Sequence, residues 1–201
     1  MLRHSQLAGI AASVYESPWT ATVLLDVHYR VDVRPDETIV ALPGTHPQEA
    51  LDWLRDLDFW PAFVRGIGLC HSGFGKGAAA AWDEMRRPLP ADRPVTFTGH
   101  SLGGALALAL GSLHAYWRPT VPFRVVTFGA PRVGFLNPLL RLRKAQEIAM
   151  YRRLGDVVPG LPFPPWYRNG GKLRWLGPLN FDPLSAHAIA AYAASLAAMG
   201  Q

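Results

Sequence analysis

Apolar residues along this chain fall into two alternating patterns: short continuous runs, and longer stretches with helical spacing. The continuous runs cover residues 67–70, 95–98, 123–128 and 148–154. The helix-like stretches cover roughly 77–87, 102–117, 135–144 and 186–199. Ahead of them, residues 22–29 and 38–42 are two further β-type runs, and Arg34-Pro35-Asp36-Glu37 between them has the turn chemistry of a hairpin. A first helix is expected over 7–14, ended by Ser17-Pro18. Strands that alternate with helices of this length build βα units on a parallel sheet. Parallel strands are buried on both faces, which accounts for runs without polar alternation. One helix lacks a polar face, at Ala105-Leu106-Ala107-Leu108-Ala109-Leu110. It must be covered on every side, so it belongs beside the middle of the sheet. The expected architecture is α/β, a mostly parallel central sheet with helices on both faces. No repeat or linker divides it, so residues 1–201 are read as one domain.

Composition narrows the function classes. Apolar types make up 49% of the 201 residues and charged types 17%, a profile that supplies a core without metal or disulfide staples. Cys70 is the single cysteine, so no internal disulfide forms, and no Cys/His cluster offers a structural zinc site. The charge is unevenly placed: residues 1–94 hold nine Lys/Arg against twelve Asp/Glu, and residues 95–201 hold eleven against three. The basic residues Arg141, Arg143, Lys144, Arg152, Arg153, Arg168, Lys172 and Arg174 are spread over several elements rather than one helical face, which argues against nucleic acid as a partner. No run of 18 apolar residues exists to span a membrane as a helix. The opening stretch reads as an amphipathic helix rather than a secretory leader, so the expected location as synthesised is the cytoplasm, with export by another route left open.

The chemistry concentrates between the strand at 95–98 and the apolar helix, at Gly99-His100-Ser101-Leu102-Gly103-Gly104. This is a G-x-S-x-G sequence in the strand-turn-helix setting that the motif requires. The sharp turn needs glycines beside Ser101, and the helix that follows aims its first amides at an anion forming there. A serine hydroxyl needs a positioned base. Downstream of Ser101 only His114 and His187 are available; His114 lies thirteen residues along the same helix, about 20 Å away, which leaves His187. The acids available are Glu147, Asp156 and Asp182. Glu147 begins a strand, at the wrong end of the sheet. Asp156 follows that strand through Gly155, on the edge where open α/β sheets gather their sites, while Asp182, five residues before His187, stays in competition. An oxyanion hole would draw on the amide of Leu102 and on Thr45, which follows the strand ending at Leu42-Pro43-Gly44.

Taken together, these pieces resemble the class 3 lipase family, the fungal-type triacylglycerol lipases and their bacterial relatives. The matching segments are Pro43-Gly44-Thr45, His71-Ser72-Gly73-Phe74, Gly99 to Gly104, Thr127-Phe128-Gly129-Ala130-Pro131-Arg132-Val133-Gly134, Gly155-Asp156-Val157-Val158-Pro159, and His187. The resemblance implies an α/β-hydrolase fold and hydrolysis of acylglycerol-like esters, with no cofactor or metal. It implies Ser101 as nucleophile, His187 as base, Asp156 as acid in preference to Asp182, and Thr45 with Leu102 as the oxyanion hole. It also gives His71 a loop-anchoring role and Gly129-Ala130-Pro131 a place in the crevice wall. By position, residues 46–65 correspond to the family's lid, which leaves open a mobile amphipathic lid or an ordinary helix packed on the sheet, and the aromatic group from Leu161 to Tyr167 is expected either to wall the acyl pocket or to be Pro-rich surface packing. The implied partner is a lipid or ester substrate, with transient contact with a lipid interface. A phospholipase or acyltransferase would use the same triad, and a binding module without catalysis is the reading outside enzymes.

Overall fold

The computed structural model describes residues 1–16, 19, 21–23, 27–45, 60–136, 139–163 and 165–201. In chain order the elements are α1 (His4–Ser13), a 3-10 turn (Val14–Glu16), β1 (Ala21–Val23), β2 (Val27–Val33), β3 (Thr38–Leu42), β4 (Pro61–Val64), β5 (Gly68–His71), α2 (Ser72–Met85), β6 (Val95–His100), α3 (Leu102–Trp117), β7 (Phe123–Phe128) and β8 (Gly134–Phe135). A 3-10 segment (Leu140–Lys144), β9 (Glu147–Arg153), a second 3-10 turn (Val158–Gly160), β10 (Tyr167–Arg168), β11 (Lys172–Leu176), α4 (Pro183–His187) and α5 (Ile189–Ala198) complete it.

The main sheet runs β1-β2-β3-β6-β7-β9-β11. From β3 to β11 every pairing is parallel, and β1 and β2 add an antiparallel edge. Alternate residues of the central strands feed two apolar layers. Val40, Leu42, Phe97 and Val125 face α2 and α3. Ile39, Val126, Phe128 and Tyr151 face α1 and α5. The α3 helix is buried from Gly103 to Ala115, as its missing polar face requires, and lies across β6 and β7. The sheet is therefore mostly parallel with helices on both faces.

A buried polar knot ties the start of the chain to this sheet. The Glu37 carboxylate, fully buried, accepts from the Leu2 amide at 2.6 Å, the Thr96 hydroxyl at 2.6 Å and Arg124 Nη2 at 3.1 Å. Arg124 in turn donates to Thr96 Oγ1 and the Leu2 carbonyl. Each buried polar group thus meets a partner, as low-dielectric surroundings demand.

Several elements depart from the sequence reading. The expected helix over 135–144 is instead β8 followed by the 3-10 segment. Gly134 and Phe135 are drawn into antiparallel pairing with Arg168 and Tyr167, and Pro138 brings no amide donor to continue a helix. The run over 22–29 divides into β1 and β2, which pair with each other antiparallel. A second sheet, β10-β8-β5-β4, has no counterpart among the expected strands apart from β5. The terminal helix expected over 186–199 breaks at Ala188, whose ψ of 130 lies outside the helical range. His187 accordingly ends α4 rather than opening one continuous terminal helix. Of the lid expected at 46–65, residues 46–59 lie outside the described ones, and Pro61–Val64 is β4. Cys70 is buried in the core, and burial pushes its thiol up to about 11.

Candidate active site

Strand order decides what can meet at the sheet's C-terminal edge. β6 delivers Ser101, and its neighbours β3 and β7 deliver Gly44-Thr45 on one side and Gly129 on the other. β9, next beyond β7, leads into the turn that carries Asp156. Ser101 sits between β6 and α3 with φ 54 and ψ −126, a region that costs an L-residue on the order of 1–3 kcal/mol and persists only where neighbours enforce it. The enforcement is visible at two glycines. A Cβ on Gly99 would lie 2.4 Å from the Gly103 backbone, and one on Gly103 would lie 2.1 Å from the Leu42 carbonyl. Only glycine lets the turn close this tightly against β3.

Three side chains form a connected chain of hydrogen bonds at this turn. Ser101 Oγ is 2.9 Å from His187 Nε2, and His187 Nδ1 is 2.9 Å from Asp156 Oδ2. All three are buried, and Asp156 has no exposed surface. Its carboxylate also accepts from Tyr192 Oη at 2.5 Å on Oδ2 and from the Val158 amide at 2.9 Å on Oδ1. With donors on both oxygens, Asp156 is fixed in orientation, and an acceptor-only carboxylate sets Nδ1 of His187 as the protonated nitrogen. Nε2 is then the nitrogen free to take a proton from Ser101. Burial, and next the adjacent Asp156 charge, push the Tyr192 phenol well above its ordinary value, so it stays a donor. Gly129, with φ +61, closes the wall: a Cβ there would lie 3.0 Å from both Asp156 Oδ2 and His187 Nδ1.

The competing candidates are placed elsewhere. Asp182 is exposed and caps α4, accepting from the Leu184 amide at 3.2 Å and from the Ser185 hydroxyl. Glu147 starts β9 and pairs with Arg174 at 2.9 Å. His114 is buried in α3, with Nε2 on the Val121 carbonyl at 3.1 Å, and burial lowers its pKa to about 4. His71 caps α2, its Nδ1 accepting from the Phe74 amide at 3.4 Å. Within the expected aromatic wall, Tyr167 is buried in β10 while Phe163 and Trp166 are exposed.

Opposite the triad, Gly44 lies against Ser101, and Thr45 follows it in the chain. A Cβ on Gly44 would lie 3.0 Å from Ser101 Cβ and 2.4 Å from the Tyr15 hydroxyl. Thr45 Oγ1 is buried with no hydrogen-bond partner among the described residues. Such an atom costs free energy unless something arrives to pair with it. The Leu102 amide opens α3, in the first turn, where no intrahelical acceptor exists for it.

Sequence reasoning missed three residues that build this site. Tyr192 is the only polar tip on the buried side of α5, five residues beyond His187, and that isolation among alanines was the available signal. His100 lies inside the motif itself. Its Nε2 donates to the His187 carbonyl at 2.6 Å, and its Nδ1 accepts from the Tyr15 hydroxyl at 2.7 Å. Burial, and then the neighbouring His187, hold His100 well below the ordinary imidazole range, so it is neutral and keeps this donor-acceptor arrangement. Tyr15 also accepts from the Gly44 amide, linking the N-terminal segment, the β3 end and the backbone of His187 in one network. No local pattern in the sequence marks Tyr15.

The family model for class 3 lipases matches residues 39–166 of this chain. Among characterised relatives, a lipase of Caenorhabditis elegans, ZK262.3, is 36% identical over 107 residues, covering 48% of this chain and 30% of the relative. The secreted mono- and diacylglycerol lipase 1 of Fusarium solani is 32% identical over 166 residues, covering 73% of this chain and 46% of the relative. The chain thus spans less than half the length of either. In three dimensions it is similar to the triacylglyceride lipase of Rhizomucor miehei, with a TM-score of 0.72 at 19% identity, covering 86% of this chain and 77% of that one. The matched region runs from β3 through the Asp156 turn, and with that extent of agreement the chain belongs to the class 3 lipase family.

Proposed function

We propose that this protein is a serine carboxylic ester hydrolase acting on acylglycerol-like lipid esters. The observation that carries the proposal is the unbroken Ser101–His187–Asp156 chain, 2.9 Å at each link, beside a buried Thr45 hydroxyl that lacks a partner. Family membership and the lipase names of its relatives support the reaction class. In this reading Ser101 Oγ attacks the ester carbonyl carbon as its proton passes to His187 Nε2. The tetrahedral oxyanion forms between the Leu102 amide and Thr45, where donors held ready in a water-poor site lower the barrier most. His187 then gives its proton to the departing alcohol oxygen, leaving an acyl ester on Ser101. A water, deprotonated by the same nitrogen, releases the carboxylic acid and restores the serine. Asp156 keeps Nδ1–H pointed correctly and balances the imidazolium. No metal or cofactor takes part in this scheme.

Hydrolysis of p-nitrophenyl esters and of mono- and diacylglycerols by the wild type, Ser101→Ala, Asp156→Asn and Asp182→Asn tests it. Ser101→Ala should lose on the order of 10⁴-fold or more in kcat. Asp156→Asn should lose about 10⁴-fold, because the amide favours the wrong imidazole tautomer. Asp182→Asn should retain activity, since Asn caps a helix as well as Asp. Normal turnover by Ser101→Ala, or loss confined to Asp182→Asn, would overturn the assignment.

A further inference from the structure

A second concave feature lies alongside β9 and β11, against the small sheet. A cavity of about 320 Å³ opens between the segment after β7, the second half of β9, the start of β11 and β10 of the small sheet. Arg132, Arg152 and Arg168 all line it, and no carboxylate does. Arg34, Arg86, Arg93, Arg124 and Arg174 each reach an Asp or Glu. Arg132, Arg152 and Arg168 form no ion pair among the described residues.

Two of these guanidinium groups are held in place rather than free to swing away. Arg132 donates through Nη1 to the carbonyls of Gly160 and Pro162, the latter at 2.9 Å. Arg152 lies over the Trp175 ring, 4.9 Å from its centroid, and its Nε is buried with no hydrogen-bond partner among the described residues. Arg168, exposed on β10, completes the rim. Burial, followed by the charge on Arg152, lowers the Arg132 pKa, in keeping with cations crowded around one space. Fixed like charges without a counter-charge are unfavourable, and an anion between them removes the penalty.

We propose that this cavity binds a phosphate group through Arg132, Arg152 and Arg168. Guanidinium forks match the oxygens of phosphate, whose three or four acceptors and one to two negative charges suit three cations better than the two oxygens of a carboxylate. The phosphate could belong to a lipid headgroup or be free in solution, and the chemistry of recognition is the same. The cavity shares structure with the triad. Ala130, in its wall, follows Gly129, which touches His187 and Asp156; Pro159, also in its wall, is three residues beyond Asp156. A bound phosphate would therefore steady the loop that carries the acid. Phosphate binding is independent of ester hydrolysis; only the headgroup arm of the test rests on the function proposed above.

The test uses inorganic phosphate, chloride and acetate at matched ionic strength, with thermal unfolding and calorimetric titration as readouts on the wild type, Arg152→Gln and Arg168→Gln. Phosphate should raise the unfolding temperature above the chloride value, and each substitution should weaken its binding about tenfold or more. Arg168 is on the exposed rim, so Arg168→Gln should unfold in chloride at the wild-type temperature and serves as the check on folding. In parallel, kcat/KM is measured on mixed micelles of phosphatidylcholine and of diacylglycerol. A loss in Arg168→Gln on the phospholipid alone identifies the headgroup as the source. Phosphate binding that Arg168→Gln weakens without changing either substrate identifies free phosphate. Equal stabilisation by acetate or chloride, or a phosphate effect that persists in both variants, overturns the proposal. A wild type that binds phosphate but hydrolyses no ester refutes the hydrolase reading alone, and an active enzyme with neither a phosphate nor a headgroup effect refutes the site alone.

Discussion

Glu37→Gln should destabilise the protein far more than its single lost charge suggests. The carboxylate has no exposed surface and accepts three hydrogen bonds, from Leu2, Thr96 and Arg124. An amide of the same shape presents one donor where only acceptors fit. It also leaves Arg124, itself buried, without its nearest counter-charge. Removing one partner from a buried, hydrogen-bonded ion pair costs about 3–5 kcal/mol. Glu147 Oε2 remains 4.0 Å from Arg124 Nη1 and offsets part of this, which favours the lower figure. For a chain of 201 residues, about 3 kcal/mol corresponds to a fall of roughly 6–12 °C in Tm. Thermal and urea unfolding at neutral pH read this directly, alongside Arg124→Met and the double variant Glu37→Leu/Arg124→Met. The double variant should recover much of the loss, because an apolar pair leaves no stranded charge. Single variants within about 0.5 kcal/mol of the wild type, near the noise of a surface change, would refute the reasoning, as would a double variant that loses the sum of the two.

Two further outcomes follow from groups around the triad and the core. Gly129→Ala puts a methyl 3.0 Å from Asp156 Oδ2 and His187 Nδ1 at a positive φ; the resulting displacement should lower kcat about 10²-fold while the protein still folds, and kcat within twofold of wild type would contradict the packing. His114, whose pKa burial lowers to about 4, binds a proton in the unfolded chain below about pH 6.5 but not in the native one, so stability should fall as pH drops from 6.5 to 4. Its share reaches about 3 kcal/mol at the bottom of that window, and denaturant unfolding of His114→Gln, which can still donate to the Val121 carbonyl, should show a correspondingly shallower acid loss than the wild type.

Where chemistry forced the residue choice, the sequence was readable. Ser101 is marked because a tight strand-to-helix turn needs Gly99 and Gly103, whose close approaches to neighbouring backbone the fold displays. His187 emerged because α3 is rigid and carries His114 out of reach. The central strands were readable because burial on both faces leaves continuous apolar runs. Elements shaped by long-range pairing were not. Gly134-Phe135 is a strand only because Tyr167-Arg168 lies beside it, and Lys172–Leu176, with exposed Leu173 and Trp175, lacks the apolar continuity of the inner strands. Tyr15 escaped for the same reason: its partners His100 and Gly44 are distant in sequence, and nothing local distinguishes a tyrosine that will reach them.

The hydrogen-bond chain that runs from Tyr15 to Tyr192 also sets an order in time. A ribosome makes the chain from its first residue onward, so Tyr15, the β3 end and Ser101 exist well before His187 and Tyr192. The strained serine turn can form on a growing chain, but its proton acceptor and the phenol that steadies Asp156 arrive later, on α4 and α5. Because α5 docks beside α1 over the same apolar layer, α1 waits for α5 to cover it. Nascent chains that have not yet reached α4 would thus carry Ser101 without His187, and under the proposed function reactivity toward esters would switch on only once α4 and α5 have been made and have docked.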